Sequence, residues 1–133
     1  IDKHSGVLKK TILGYKFQIG LIFGKGTQKF PWIHINDAAR FIVFAIQNKS
    51  INGVFNIASY EKVSYYDFIQ TIQKVRYQNS ILIKVPKIIF KILLPEKHVL
   101  LFNNVHLSSH KLSSTKFKLR YPTIQKAIEK ELQ

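Results

Sequence analysis

Apolar residues along this 133-residue chain recur with helical and strand periods in turn. Residues 7–17, VLKKTILGYKF, carry apolar side chains three and four positions apart, which is typical of an amphipathic helix. Residues 21–35, LIFGKGTQKFPWIHI, then predict a short strand, a Gly-Lys-Gly hairpin turn and a second strand. In that second strand Trp32, His34 and Asn36 would project to one face of a sheet.

An aspartate marks the next predicted helix. The carboxylate of Asp37 can accept hydrogen bonds from the free amides at the start of AARFIVFAIQNK, and its charge suits the positive end of a helix. This segment is so rich in Phe and Ile that we expect the helix to be heavily buried. Asn52 and Gly53 then indicate a turn before a compact strand, VFNIAS, at residues 54–59.

The second half of the chain continues the alternation. Ser64 is the predicted N-cap of a helix in YYDFIQTIQKVRY, and ILIKV at 81–85 reads as a strand. Pro86 suits the first turn of a helix through KIIFKILL, Pro95 ends or kinks that helix, and Pro122 opens a final helix after a short one. The pattern predicts α/β or α+β organisation with some parallel pairing, although the strands are few for so many apolar helix faces.

Composition narrows the class of protein. Hydrophobic residues make up 46% of the chain and charged residues 21%, as in globular proteins, and the absence of cysteine excludes disulfides and thiolate metal sites. The lack of cysteine also fits a reducing compartment, so we expect a cytoplasmic protein. We expect no membrane span, because lysines and prolines interrupt the most apolar stretch, residues 81–102. A net charge of +14 leaves a small basic nucleic-acid-binding module as the alternative, but only three of the cations are arginine.

No self-sufficient catalytic set is visible in the sequence. The Gly24-Lys25-Gly26 turn lacks the third glycine and the following helix of a dinucleotide fingerprint, and no tyrosine has a lysine four residues later. His106 and His110 have a spacing that could bind a metal on a helix, but no acidic residue lies between them. We therefore predict no catalytic, cofactor-binding or metal-ligating residue in this chain.

Several segments together resemble one family. The ordered set is similar to the C-terminal part of extended short-chain dehydrogenase/reductases, in the NAD(P)-dependent epimerase-like branch with a Q-x-x-x-W-I-H-I-x-D stretch. The segments that carry the resemblance are SGVLKKTI at 5–12, Gln28 with WIHIND at 32–37, GVFNIAS at 53–59, KVPKIIFKILL at 84–94 and KLSSTKFKLRYPTIQKAI at 111–128.

The resemblance implies an α/β fold, namely the C-terminal substrate-side portion of a Rossmann-type enzyme with few short strands and several helices. Residues 1–80 would form the C-terminal end of the epimerase/dehydratase-like domain, and residues 81–133 a family-specific C-terminal helical segment. In this family the Rossmann half, with its glycine motif and Tyr-x-x-x-Lys pair, precedes the matched region. The expectation is a truncated or split NAD(P)-dependent oxidoreductase, which binds no coenzyme and is not catalytic alone.

The same resemblance suggests roles for single residues. Gln28, Trp32 and His34 match the motif and would line the substrate side of the cleft, whereas the alternative for Trp32 and His34 is a packed strand with a satisfied imidazole. Asp37 and Asn56 match as structural residues, the first as a helix cap and the second as a turn-anchoring amide.

Three positions depart from the family pattern. Many sugar-nucleotide members hold the substrate diphosphate with an arginine where this chain has Phe30, so diphosphate binding is in doubt. Leu21 and Lys116 stand where glycine is usual, and a non-glycine residue at a left-handed position would cost about 1 kcal/mol. The expected partners are a separately encoded Rossmann half or a second copy, with a small-molecule substrate in the full-length family, rather than nucleic acid.

Overall fold

The computed structural model describes residues 1–89 and 107–133. The predicted mixed α/β class is confirmed. In chain order the elements of these residues are α1 (Gly6–Tyr15), β1 (Ile19–Phe23), α2 (Ile35–Gln47), α3 (Tyr65–Arg76), β2 (Ile81–Val85), α4 (His110–Ser113) and α5 (Ile124–Leu132).

The sheet consists of two parallel strands. β1 and β2 pair in register from Ile19 opposite Ile81 to Phe23 opposite Val85, with α2 and α3 in the chain between them. Parallel strands require such a long crossover, so the predicted parallel pairing is confirmed.

The predicted hairpin after β1 is wrong. The turn does form, with positive φ at Gly24 (63°) and Gly26 (74°), but the Gly24 amide donates to the Val85 carbonyl and the Gly26 carbonyl accepts from the Tyr66 amide. The loop is thereby anchored to β2 and α3, and the chain beyond it does not return along β1. Residues 31–34 and 54–59, which were predicted as strand, are irregular backbone, and the strand-type pairing of Lys29 is an isolated bridge to Ser64.

The main core surrounds α3. Ser64 caps this helix in a capping box with Asp67, which confirms the predicted start. Phe68, Ile69 and Ile72 have no exposed surface and pack with residues of α1, β1 and α5. The buried residues of this main core are Leu8, Tyr15, Ile22, Trp32, Val63, Tyr65, Phe68, Ile69, Ile72, Ile124, Ala127 and Ile128.

A second, smaller cluster supports α2. Phe41 is buried against Leu112 of α4 and Phe117. The predicted heavy burial of α2 is wrong for its other face, where Ile42 and Ile46 remain exposed. Among residues 1–89 and 107–133, one side of this helix packs on the second cluster while the other stays exposed, which the count of apolar residues could not reveal.

Backbone strain does not occur where the family pattern suggested. Within residues 1–89 and 107–133 the non-glycine residue with positive φ is Gln18 (59°), between α1 and β1. Leu21 is extended in β1, and Lys116 has no positive φ. The predicted cost at both positions is therefore wrong.

Two proline predictions have different outcomes. Residues 87–89 are helical directly after Pro86, while the rest of the predicted helix, Pro95 included, lies outside the described residues. Thr123, not Pro122, caps α5, because its hydroxyl accepts from the Lys126 amide. No helix in the described part of the chain is both long and apolar enough to cross a bilayer.

Candidate functional site

The WIHIND corner is an extended segment that turns directly into α2. His34 has extended backbone (φ −73°, ψ 140°), and its Nδ1 accepts a hydrogen bond from the Asn36 amide at 3.2 Å. The helix begins at Ile35, so the predicted cap at Asp37 is wrong: an imidazole nitrogen does what a carboxylate was expected to do.

The other edge of the His34 ring faces the end of the chain. Its Nε2 lies 3.0 Å from Oε1 of Glu131 in α5, and the ring stacks on Tyr121 with centroids 4.0 Å apart. Because Nδ1 accepts a hydrogen bond, Nε2 carries the proton of the neutral ring. Burial lowers the pKa of His34, against the opposing pull of the Glu131 and Asp37 carboxylates.

Asp37 joins α2 to the segment before α5. Its carboxylate is fully buried, with Oδ1 accepting from the Arg120 amide at 2.9 Å and Oδ2 from the Tyr121 amide at 2.8 Å. Arg40, one turn along, donates to Oδ1 at 2.7 Å. The Asp37 carboxylate, three residues after His34, therefore links the start of α2 to the segment before α5.

Asn56 also links distant segments. Its side-chain amide donates to the Ser108 carbonyl at 3.1 Å. Close by, the ammonium of Lys111 donates to the carbonyls of Asn52 and Val54. The predicted anchoring is thus directed at the C-terminal segment and not at the local turn.

The remaining motif residues separate into core and surface. Trp32 is 5% exposed within the main core, and its Nε1 has no hydrogen-bond partner among the described residues. Gln28 is half-buried and donates from Nε2 to the Phe23 carbonyl at 3.2 Å. Phe30 stacks on Phe68 with centroids 4.4 Å apart, so no cation stands at the diphosphate position.

Two open grooves occur among the described residues. One, of about 590 Å³, lies at the carboxyl ends of both strands, which is where ligands bind in parallel α/β sheets. The other, of about 530 Å³, runs between residues 58–63 and 107–113. The first groove is lined by Gly24, Lys25, Thr27, Gln28, Lys84, Pro86 and Lys87.

The structure brings only one predicted substrate residue to a groove. Gln28 lines the groove at the strand ends, while Trp32 and His34 line neither. The substrate role of all three stays a prediction. Sequence reasoning missed Lys25 and Lys84, although their positions at the ends of predicted strands could have indicated them, and missed Glu131 beside His34, for which the sequence gives no signal.

Metal binding has no support in the described residues. No group of three or more His, Cys, Asp or Glu side chains that could hold an ion occurs among them. His106, one of the two histidines whose spacing could bind a metal, lies outside the described residues.

Comparison with known proteins shows which proteins the chain is similar to in sequence and in fold. Residues 5–58, which span α1, β1, α2 and the corner, match the NAD dependent epimerase/dehydratase family. The epimerase family protein YfhF of Bacillus subtilis is 31% identical over 92% of the chain, and the epimerase family protein SH2119 of Staphylococcus haemolyticus is 30% identical over 97%. The human epimerase family protein SDR39U1 (isoform 2), solved with NADPH, superposes on 99% of the chain with a TM-score of 0.90 and 20% identity.

The chain is similar to epimerase family proteins over nearly its whole length. Its fold is that of the corresponding part of a short-chain dehydrogenase/reductase-type epimerase. The chain spans less than half the length of these proteins, 40% of YfhF and 45% of the human protein. The boundary proposed between residues 80 and 81 stays a prediction.

Acid should lower the folding stability of the chain through His34. Because burial lowers its folded pKa below the unfolded value of about 6.5, the unfolded state binds more protons, so stability is complete above that pH and falls as pH drops through the folded pKa. We expect His34→Asn, which keeps a capping acceptor and cannot titrate, to flatten the decline in urea-unfolding free energy between pH 7 and pH 5. An unchanged slope in this variant would show that another group controls the decline.

Proposed function

We propose that this chain is the substrate-side part of an NAD(P)-dependent epimerase-like oxidoreductase, and that it shapes the substrate pocket without supplying a catalytic group. The observation that carries the proposal is the correspondence of nearly the whole chain to less than half of a human protein solved with NADPH. The sequence supports it, because the chain has neither G-x-G-x-x-G nor Tyr-x-x-x-Lys.

The glycine turn does not fit a dinucleotide. A pyrophosphate needs free backbone amides at the start of a helix. Here the Gly24 amide donates to the Val85 carbonyl and the Gly26 amide to the Phe23 carbonyl, and the next helix, α2, starts only at Ile35. No step of the chemistry is therefore assigned to a coenzyme held by these residues.

In this proposal the chain's own residues form one wall of the substrate pocket. Gln28 stands at the groove where the two strands end, and its backbone carbonyl is fixed by the Tyr65 amide at 2.9 Å. Trp32 and His34 are buried within the corner and set its shape. In the full-length family this wall would face a small carbonyl or alcohol substrate, and the coenzyme would lie on the side supplied by other residues.

Calorimetric titration of NADPH into the isolated chain tests the proposal. We expect no saturable heat up to a concentration of about 1 mM, which corresponds to a binding free energy weaker than roughly −4 kcal/mol. The human protein solved with NADPH serves as the positive control under the same buffer conditions. Saturable binding to the isolated chain in the micromolar range would overturn the proposal.

A further inference from the structure

The groove of about 590 Å³ at the carboxyl ends of β1 and β2 carries charge of one sign, and we call it the lysine groove. Three of its seven lining residues are lysines, Lys25, Lys84 and Lys87, whereas the whole chain has 21 Lys and Arg among 133 residues. Within the part of the chain that the structure describes, no Asp or Glu lines this groove. A concave surface with charge of one sign focuses its electric field and attracts small ions of the opposite sign.

The charge of the lysine groove is not neutralised by the carboxylates that the structure describes. Among residues 1–89 and 107–133, the ammonium groups of Lys25 and Lys84 form neither an ion pair nor a hydrogen bond, and both residues are exposed. Asp67 lies on α3, the helix on which the glycine turn packs, but it is already engaged by Ser64 in the capping box. The two ammonium groups are therefore available to a ligand of negative charge.

The turn that carries Lys25 is fixed by backbone contacts. The Gly24 amide donates to the Val85 carbonyl at 2.8 Å, which holds the turn beside the end of β2. On its other side the Gly26 carbonyl accepts from the Tyr66 amide at 2.9 Å. Gly26 has a φ of 74°, and a Cβ at this position would lie 2.7 Å from a side chain of β1. A side chain presented from such a packed turn requires little ordering of the backbone when a ligand binds.

The lysine groove also provides uncharged hydrogen-bonding groups. Thr27 is exposed at its edge, and its hydroxyl can rotate to donate to an acceptor oxygen. Gln28 is held beside it, because its Nε2 donates to the Phe23 carbonyl at 3.2 Å. A phosphate monoester offers three acceptor oxygens and a charge of about −1.5 to −2 at neutral pH. It therefore suits several ammonium groups and a hydroxyl better than the single charge of a carboxylate does.

We infer that the lysine groove binds the phosphate group of a phosphate monoester, and that the substrate is a carbonyl or alcohol compound that bears this group. The identification of the ligand as the substrate rests on the proposed function. The volume of the groove lies within the range of small-molecule sites, about 300–1,000 Å³. The site is distinct from the position of the diphosphate-binding arginine of sugar-nucleotide enzymes, because Phe30 lines the other groove and stacks on Phe68.

Titration of methyl phosphate into the ¹⁵N-labelled chain, followed by NMR at constant ionic strength, tests the inference. We expect saturable amide shifts centred on Gly24, Lys25, Thr27 and Lys84. The expected Kd is roughly 10 mM, because exposed ion pairs each strengthen binding only a few-fold. Acetate, the carboxylate probe, should bind at least about fivefold more weakly at the same ionic strength, since it carries a single charge.

Paired substitutions locate the binding site. Lys25→Gln with Lys84→Gln should weaken methyl phosphate binding by roughly fivefold to tenfold, because two ammonium groups are lost from the groove. Lys9→Gln with Lys10→Gln is the matched control, since it removes the same charge from exposed positions of α1 that do not line the groove. This control should change the Kd by less than about twofold, because distant surface charges are screened. Lys25→Arg with Lys84→Arg keeps both charges and should restore the binding.

Equal losses in the groove variant and in the α1 control would show that net charge alone attracts the phosphate, and would overturn the inference. Amide shifts spread over lysines outside the groove, or acetate binding as tight as that of methyl phosphate, would overturn it as well. Unchanged amide positions outside the groove establish that each variant folds.

The proposed function is tested separately from the lysine groove. Micromolar binding of NADPH by the isolated chain would overturn the proposed function even when methyl phosphate binds as expected. Failure of methyl phosphate to bind would overturn the phosphate-bearing substrate and would leave the substrate-side role of the chain untouched.

Discussion

Replacing Asp37 with alanine is expected to lower the free energy of unfolding by about 3 kcal/mol. The substitution removes both oxygens that accept from the Arg120 and Tyr121 amides, and it leaves these donors without partners beside a buried cavity. It also releases the segment before α5 from the first turn of α2. Urea unfolding at neutral pH, followed by circular dichroism, measures the loss.

Arg40→Ala is the control for this prediction. The Arg40 side chain is 46% exposed, so its ion pair with Asp37 is screened by solvent and its removal should cost less than about 1 kcal/mol. If Arg40→Ala were as damaging as Asp37→Ala, the ion pair rather than the two amide bonds would be the source of the stability.

Replacing Phe68 with alanine should lower the unfolding free energy by about 3–5 kcal/mol. Phe68 is fully buried in the centre of the main core, with its ring stacked on Phe30 and 6.1 Å from that of Tyr65. Truncation removes the contacts of a whole aromatic ring and leaves a cavity that neighbours on α3 cannot fill. Thermal and urea unfolding would report the loss together.

Phe17→Ala provides the matched comparison. Phe17 has the same side chain but is 78% exposed after α1, so its truncation should change stability by less than about 0.5 kcal/mol. A loss of under about 1 kcal/mol for Phe68→Ala would contradict the placement of Phe68 in the core.

Local signals predicted the helices well and the pairing of strands only in part. Ser64 and the apolar stripe behind it were sufficient for α3, because a capping box and a helical period lie within one short segment. The strand that pairs with β1 is β2, far along the chain, and the Gly24 amide donates to the Val85 carbonyl at its end. The glycine turn, which looked like a hairpin turn, is therefore the start of the long crossover connection. Residues 54–59 had strand composition but no neighbouring strand to pair with.

The corner shows the same division. The residue types of the corner and their order were enough to indicate the family. For Trp32 and His34, the sequence left packing in the interior open as the alternative to contact with substrate. The carboxylate of Glu131 beside His34 could not be predicted, since α5 meets the corner only after the chain has folded. Burial of His34 depends on this tertiary contact and not on its neighbours in sequence.

The parallel pairing of β1 and β2 also constrains how the chain reaches its native state. The two strands cannot join until the long segment that carries α2 and α3 has closed, and closing such a loop has an entropic cost that local helices avoid. Helices are therefore expected to form first and the two-stranded sheet late. During that interval both strands would expose unpaired backbone amides and carbonyls. The newly synthesised chain would then be prone to misassembly and would be a substrate for chaperones.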